Sequence, residues 1–131
     1  MAHSSTQLLR GCRVLVLEDE YLLADDLARI LGQHGAEVVG PIADLRQARA
    51  ALRQDGFDAA IMNVTVRGHK AFDFADELTR QEIPFMFLTG FAAKSIPARF
   101  RHVNVLEKPC VAREIANDVA QLCRTCAARP G

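Results

Sequence analysis

Several side chains that could hold a metal ion or a phosphoryl group directly follow short apolar runs of this sequence. They are two acids, an amide, a hydroxyl and a lysine: Glu18, Asp19, Asn63, Thr89 and Lys108. Carboxylate and carbonyl oxygens suit a hard cation such as Mg²⁺. A cation beside a lysine and a hydroxyl can position a phosphoryl group and neutralise its charge. The question is whether the fold brings these groups together.

A short apolar run followed by a longer segment of helical periodicity recurs along the chain. The runs are Val14–Leu17, Glu37–Val39, Ala59–Met62, Phe85–Leu88 and Val103–Leu106. The first, third and fourth are nearly continuous in apolar residues, which indicates strands covered on both faces by helices. In such parallel sheets, functional groups gather at the carboxyl ends of the strands. We therefore predict that the five side chains lie at one edge of the sheet.

Apolar stripes at helical spacing follow four of the runs. They begin at Leu23, Leu45, Ala71 and Ile115, whereas the segment 91–100 is interrupted by Pro97 and predicts only a short or irregular helix. The alternation predicts an α/β, doubly wound, five-stranded parallel sheet with helices on both faces. We expect one domain over residues 12–128, with tails at 1–11 and 129–131 and no output domain.

Composition narrows the environment and the partners. Sixteen basic residues balance sixteen acidic ones, which argues against a nucleic-acid partner. No run of about 18 apolar residues could span a membrane, and no signal peptide is evident, so we predict a cytoplasmic protein. In that compartment the four cysteines are expected to be free thiols. Cys123 and Cys126 form a C-x-x-C on an apolar helical stripe and are interpreted as core residues rather than a redox or zinc pair.

Four motifs together resemble the receiver domain of two-component response regulators, over roughly Cys12 to Cys126. The sequence Val-Leu-Val-Leu-Glu18-Asp19-Glu is similar to the acidic pair of that family, and Ile-Met-Asn63-Val-Thr-Val-Arg-Gly to the segment around its phosphorylated aspartate. Phe-Leu-Thr89-Gly resembles its switch residue, and Leu-Glu-Lys108-Pro its lysine followed by proline. The resemblance implies a flavodoxin-like strand order of 2-1-3-4-5.

The resemblance also implies roles for individual residues. Glu18 and Asp19, with the backbone carbonyl of Thr65, would bind Mg²⁺, and Asn63 would add a weak oxygen ligand. Lys108 would contact phosphoryl oxygens, and Thr89 would move to hydrogen-bond the phosphoryl group. The partners would be signalling proteins, either a histidine kinase or a downstream effector, and the protein would be a monomer or a weak homodimer.

Asn63 departs from the family pattern at the position of the phosphoacceptor. An amide has no carboxylate oxygen to attack phosphorus, so this stand-alone receiver is expected to act in phosphorelay signalling by protein binding, without an aspartyl phosphate. With two carboxylates and one lysine the pocket has a formal charge of −1, rather than −2 with aspartate, so Mg²⁺ binding is expected to be weak. A second departure is the lack of an aromatic residue shortly before Lys108.

Other interpretations stay open at this point. Asn63 could be an engineered change in an ordinary phosphorylatable receiver, or a turn residue, and Asp19 could be a helix N-cap. A haloacid-dehalogenase-like phosphatase would require Asp-x-Asp where this chain has Glu18-Asp19-Glu20. A flavin-binding flavodoxin-like protein would require a hydroxyl- and glycine-rich phosphate loop at the same place, and three acids would repel that phosphate.

The segment 91–100 and the last helix are a candidate docking face. Phe91, Ile96, Pro97 and Phe100 are apolar residues in a poorly periodic stretch. The alternative is that the two phenylalanines fold inward and cap the sheet.

Overall fold

Five parallel strands form the central sheet in a computed structural model that describes residues 8–90, 96–108 and 112–128. The strands are β1 (Arg13–Leu17), β2 (Glu37–Ile42), β3 (Ala59–Asn63), β6 (Phe85–Thr89) and β7 (Val105–Glu107). Their order across the sheet is β2-β1-β3-β6-β7, and every neighbouring pair is parallel. Counting only these five, the order is the predicted 2-1-3-4-5. The predicted fold class is confirmed.

Helices cover both faces of the sheet. They are α1 (Tyr21–Gln33), α2 (Leu45–Gln54), α3 (Phe72–Arg80) and α4 (Ala112–Ala128). Alternate residues of β1 point to opposite faces. Val14 and Val16 pack with α1 and α4, whereas Leu15 and Leu17 pack with α2 and α3. No helix within the described ranges is long and apolar enough to cross a membrane.

A two-stranded hairpin after β3 was not predicted. It consists of β4 (Thr65–Val66) and β5 (His69–Lys70), paired antiparallel. Its two loop residues, Arg67 and Gly68, have φ angles of 51° and 80°, as the type I′ turn of a tight hairpin requires. Strands of two residues are too short to show a periodicity, and an arginine rarely adopts a positive φ. The sequence pattern therefore contained no usable signal for this hairpin.

Strand β2 runs three residues further than predicted, and its end positions the first acid of the candidate site. Gly40 has a φ of +105°, and a Cβ there would lie 2.6 Å from the backbone nitrogen of Ile42. Only glycine fits this close approach. The carbonyl of Ile42 then accepts a hydrogen bond of 2.9 Å from the backbone nitrogen of Glu18. The last strand, in contrast, begins at Val105 instead of Val103.

The prediction that Phe100 contributes to an exposed docking face is wrong, and the alternative, that it folds inward, is confirmed. A short 3₁₀ helix (Ala98–Phe100) follows Pro97, as the interrupted periodicity predicts. The ring of Phe100 is 2% exposed and lies 5.6 to 6.1 Å from those of Phe72, Phe85 and Phe87. Ile96 also packs against this core. Phe100 is therefore a core residue, while Phe91 lies outside the described residues and a docking role of the last helix stays a prediction.

The expectation of free thiols is wrong for two of the four cysteines. Cys12 and Cys123 form a disulfide that joins the start of β1 to α4, with Cα atoms 6.2 Å apart. Because α4 packs across the face that holds Cys12, the two residues meet although 111 positions separate them. Both nevertheless contact the apolar core, as predicted for Cys123. The side chain of Cys126 and all of Cys110 lie outside the described part of the chain.

The disulfide predicts a stability that depends on reducing agent. Cross-linking so long a loop should raise the free energy of unfolding by on the order of 4 kcal/mol. Urea unfolding with and without dithiothreitol should therefore show a large loss on reduction, and Cys12→Ala should unfold equally easily in both. Identical midpoints for the unchanged protein in the two buffers would exclude the bond in solution.

Candidate functional site

A buried carboxylate lies at the centre of the candidate site. Glu18 follows β1 and is 2% exposed. One of its oxygens, Oε2, accepts hydrogen bonds from Asn63 Nδ2 at 3.1 Å and from the backbone nitrogen of Glu20 at 3.0 Å. The other, Oε1, lies 3.1 Å from Lys108 Nζ, an ion pair without the alignment of a hydrogen bond. A charge buried so deeply requires partners of this kind.

Asn63 ends β3 beside Glu18 and acts as a donor. Its Nδ2 donates to Glu18, and its Oδ1 accepts a long hydrogen bond of 3.4 Å from the backbone nitrogen of Thr65. The two bonds agree on which end of the amide is nitrogen. The amide therefore donates a hydrogen bond to the carboxylate, which an ionised aspartate at this position could not do.

Lys108 and Thr89 occupy the ends of neighbouring strands. Thr89 ends β6 and is 2% exposed, and its carbonyl accepts a hydrogen bond of 2.8 Å from the backbone nitrogen of Lys108, just beyond β7. The Lys108 side chain extends past Gly90 to Glu18, and its Nζ is also 3.8 Å from Glu20 Oε1. The parallel pairing of β6 and β7 thus places Lys108 beside Glu18 and Glu20.

Asp19 is directed away from Glu18, toward the hairpin. It is exposed, and its Oδ2 accepts a hydrogen bond of 2.7 Å from the backbone nitrogen of Arg67. It does not cap α1, because the N-cap residue is Glu20, which makes no side-chain cap bond. Thr65 lies in β4, where its Oγ1 accepts from Lys70 Nζ at 3.2 Å.

The structure brings three of the predicted site residues into direct contact: Glu18, Asn63 and Lys108. Thr89 is tied to this group through the backbone of Lys108, and Asp19 through the hairpin. Sequence reasoning missed Glu20 and Arg67 as parts of the site. The position of Glu20 beside the acidic pair was an available signal, but nothing in the pattern indicated that the backbone of Arg67 would bind Asp19.

The donor set can be compared with the requirements of Mg²⁺, the metal expected of receiver domains. Two carboxylates, an amide oxygen and a backbone carbonyl are oxygen ligands of the right kind, and the buried Oε1 of Glu18 accepts no aligned hydrogen bond from the described residues. Within those residues, however, no three acids, histidines or cysteines are grouped closely enough to hold a metal. The oxygen ligands are of the chemical type that a magnesium ion requires. Lys108 and Asn63, however, already compensate the charge of Glu18.

A five-stranded parallel sheet of this order, with acids, an amide, a hydroxyl and a lysine at its carboxyl edge, is the arrangement expected of the receiver domain that the sequence motifs resemble. The family model "Response regulator receiver domain" matches residues 14–120. The chain belongs to the response regulator receiver domain family.

Individual relatives agree with this assignment. The transcriptional regulatory protein PdtaR of Mycobacterium tuberculosis is 33% identical over 95 residues, which is 72% of this chain and 46% of PdtaR. The BeF3-activated solution structure of SdrG from Pseudomonas melonis Fr1 is 36% identical, with a TM-score of 0.73 over 85% of this chain and 95% of SdrG. The response regulator PhyR from Brucella abortus is 22% identical, with a TM-score of 0.79 over 98% of this chain and 55% of PhyR, and shows the shared fold. The chain spans less than half the length of the curated relatives it matches.

Removing the lysine tests the internal pairing of the site. Lys108→Met leaves the buried Glu18 carboxylate without its cation and should lower the free energy of unfolding by about 1–3 kcal/mol. Adding Glu18→Gln to that variant should recover part of the loss, because no buried charge remains. Urea unfolding measures both changes.

Lys70→Met is the matched control, since Lys70 is exposed and should change stability by only about 0.5 kcal/mol. Equal losses for the two lysine variants would mean that the pairing with Glu18 contributes nothing.

Proposed function

We propose that this receiver domain acts in phosphorelay signalling by binding other proteins and that it forms no aspartyl phosphate at position 63. One observation carries the proposal: the side chain that ends β3 is an amide whose nitrogen donates to Glu18 at 3.1 Å. Phosphorylation would require a carboxylate oxygen there to attack phosphorus and displace the leaving group. An amide oxygen carries no negative charge and is a poor nucleophile.

The internal pairing supports a site that keeps one arrangement without a phosphoryl group. Lys108 is already engaged by Glu18, and Asn63 donates to the other oxygen of the same carboxylate. A chain with aspartate at 63 would instead place a second carboxylate about 3 Å from Glu18, and like charges that close cannot both be stable without a cation. Asn63 therefore removes the repulsion that a metal would otherwise relieve.

Mg²⁺ remains a proposed weak ligand. If bound, it would be held by Glu18 and Asp19, with the Asn63 side-chain oxygen and the Thr65 backbone carbonyl as further ligands. The ion would supply positive charge to any phosphate-like group brought to the site. By their sequence motifs Thr89 and Lys108 correspond to the switch and phosphoryl-contact residues of the family, and we propose that they keep these positions without a covalent phosphate.

The proposed partners are a histidine kinase or a downstream effector, met in the cytoplasm, and the proposed state is a monomer or weak homodimer. Equal numbers of acidic and basic residues support protein partners over nucleic acid or an anionic membrane. No catalytic activity of its own is proposed.

The absence of a phosphoacceptor can be tested with a small phosphodonor. Incubated with acetyl phosphate and Mg²⁺, the protein should gain no phosphoryl adduct by intact mass spectrometry. Asn63→Asp should gain one, because its carboxylate can attack the phosphorus and release acetate. An adduct on the unchanged protein, at Thr65 or elsewhere, would overturn the proposal.

The same variant tests the metal. Asn63→Asp adds a negatively charged ligand and should bind Mg²⁺ more tightly by on the order of 1–3 kcal/mol, or roughly fivefold to 150-fold. Isothermal titration calorimetry of both proteins compares their affinities for Mg²⁺. Asn63→Ala is the control, because it removes the amide without adding a charge. Equal affinities for the asparagine and aspartate forms would contradict the role given to residue 63.

A further inference from the structure

A cationic cleft is lined by the β4–β5 hairpin, whose residue Arg67 also contacts Asp19 of the candidate site. It has a volume of about 710 Å³ and is open to solvent. The first turn of α2, the hairpin and the start of α3 form its walls, with these lining residues: Asp44, Leu45, Arg46, Arg49, Val66, Arg67, His69, Lys70 and Asp73. Four positively charged side chains therefore face two carboxylates in a protein whose overall charge is balanced.

Three of these cations form no ion pair with any described residue. Arg46, Arg67 and Lys70 are exposed and lie beyond ion-pair distance of every described carboxylate; Arg49, in contrast, pairs with Glu77 at 3.3 Å. Of the two acids in the cleft, Asp44 accepts a hydrogen bond from the backbone nitrogen of Gln47 and so caps α2. The fold thus brings the hairpin cations, Arg67 and Lys70, beside the arginines at the start of α2.

The shape and lining of the cleft indicate which kind of anion it could bind. It is open along its length, whereas a site for a small molecule usually encloses most of its ligand. Its lining residues include no phenylalanine, tyrosine or tryptophan, and His69 is their single aromatic ring, whereas single-stranded nucleic acid is bound by stacking successive bases on several rings. The half-buried Leu45 and the buried Val66 add apolar side chains to the lining of the cleft. An extended peptide with acids flanking an apolar side chain matches this combination.

Arg67 connects the cleft to the acidic site. Its backbone nitrogen donates to Asp19 Oδ2 at 2.7 Å, and its Nε donates to the carbonyl of Ala43 at 3.1 Å, just before α2. The backbone of Arg67 thus binds Asp19 of the candidate site, while its guanidinium lines the cleft.

We propose that this cleft binds an acidic segment of a partner protein, with Arg46, Arg67 and Lys70 as its cationic contacts. The proposal rests on the proposed function in protein recognition and specifies where the partner binds. It can fail separately, because a receiver without a phosphoacceptor could still bind partners through another face.

The test uses the intact protein and a fluorescein-labelled peptide of repeated Glu-Asp-Leu, followed by fluorescence anisotropy. Saturable binding is expected at low salt and should weaken at physiological salt, where the screening length is about 8 Å. Arg46→Ala and Lys70→Ala should each weaken binding by roughly twofold to fivefold, and Arg46→Glu with Lys70→Glu should abolish it. The matched control is Arg53→Ala, which removes the same charge from the other, exposed end of α2 and should leave binding unchanged.

Three results would overturn the proposal: no binding of the acidic peptide at low salt, an equal effect of Arg53→Ala, or equally tight binding of a peptide in which lysines replace the acids. Tighter, saturable binding of inorganic pyrophosphate or of a short single-stranded RNA at the same residues would reject an acidic protein segment as the occupant. Circular dichroism of each variant separates loss of contact from loss of fold.

Discussion

The buried charge of Glu18 is the constraint on which the edge of this sheet depends. A carboxylate that is 2% exposed loses nearly all its hydration, so each oxygen has to find compensation within the protein. Lys108 supplies the charge, and the Asn63 amide and the backbone of Glu20 supply hydrogen bonds. These groups come from the ends of β1, β3 and β7. The charge of this one side chain is therefore compensated by groups at the ends of three strands. The Asn63 amide donates a hydrogen bond to Glu18, whereas an aspartate at position 63 would repel it.

Much of the architecture was predictable because burial on both faces leaves a simple pattern. The nearly continuous apolar runs that became β1, β3 and β6 indicated central parallel strands, and the sheet rule then placed the side chains that follow them at one edge. The helical stripes located all four α-helices, α1 to α4, for the same reason, since one apolar face must meet the sheet. Where a single physical requirement dominates a segment, its sequence is informative.

The rest depended on contacts between distant residues or on unusual backbone. The hairpin exists because Arg67 accepts a left-handed conformation and its amide binds Asp19, and neither fact leaves a periodic trace. The same bond directs Asp19 away from Glu18, so the predicted acidic pair is split. The donor role of Asn63 follows from the carboxylate that faces it, whereas residue type alone favoured its oxygen as a ligand. Phe100 shows the converse error, in which weak periodicity was taken for an exposed surface although three aromatic rings enclose it.

The bond between Cys12 and Cys123 makes a covalent ring of almost the whole domain, because 111 positions separate its two ends. Any backbone bond within that ring can be broken without parting the molecule. A protease that cuts after Arg67, at the exposed tip of the hairpin, would yield a nicked protein of unchanged mass apart from one added water. Its two fragments would separate on a gel only after reduction. Under oxidising conditions, the continuity of this domain therefore does not require an intact main chain between the two cysteines.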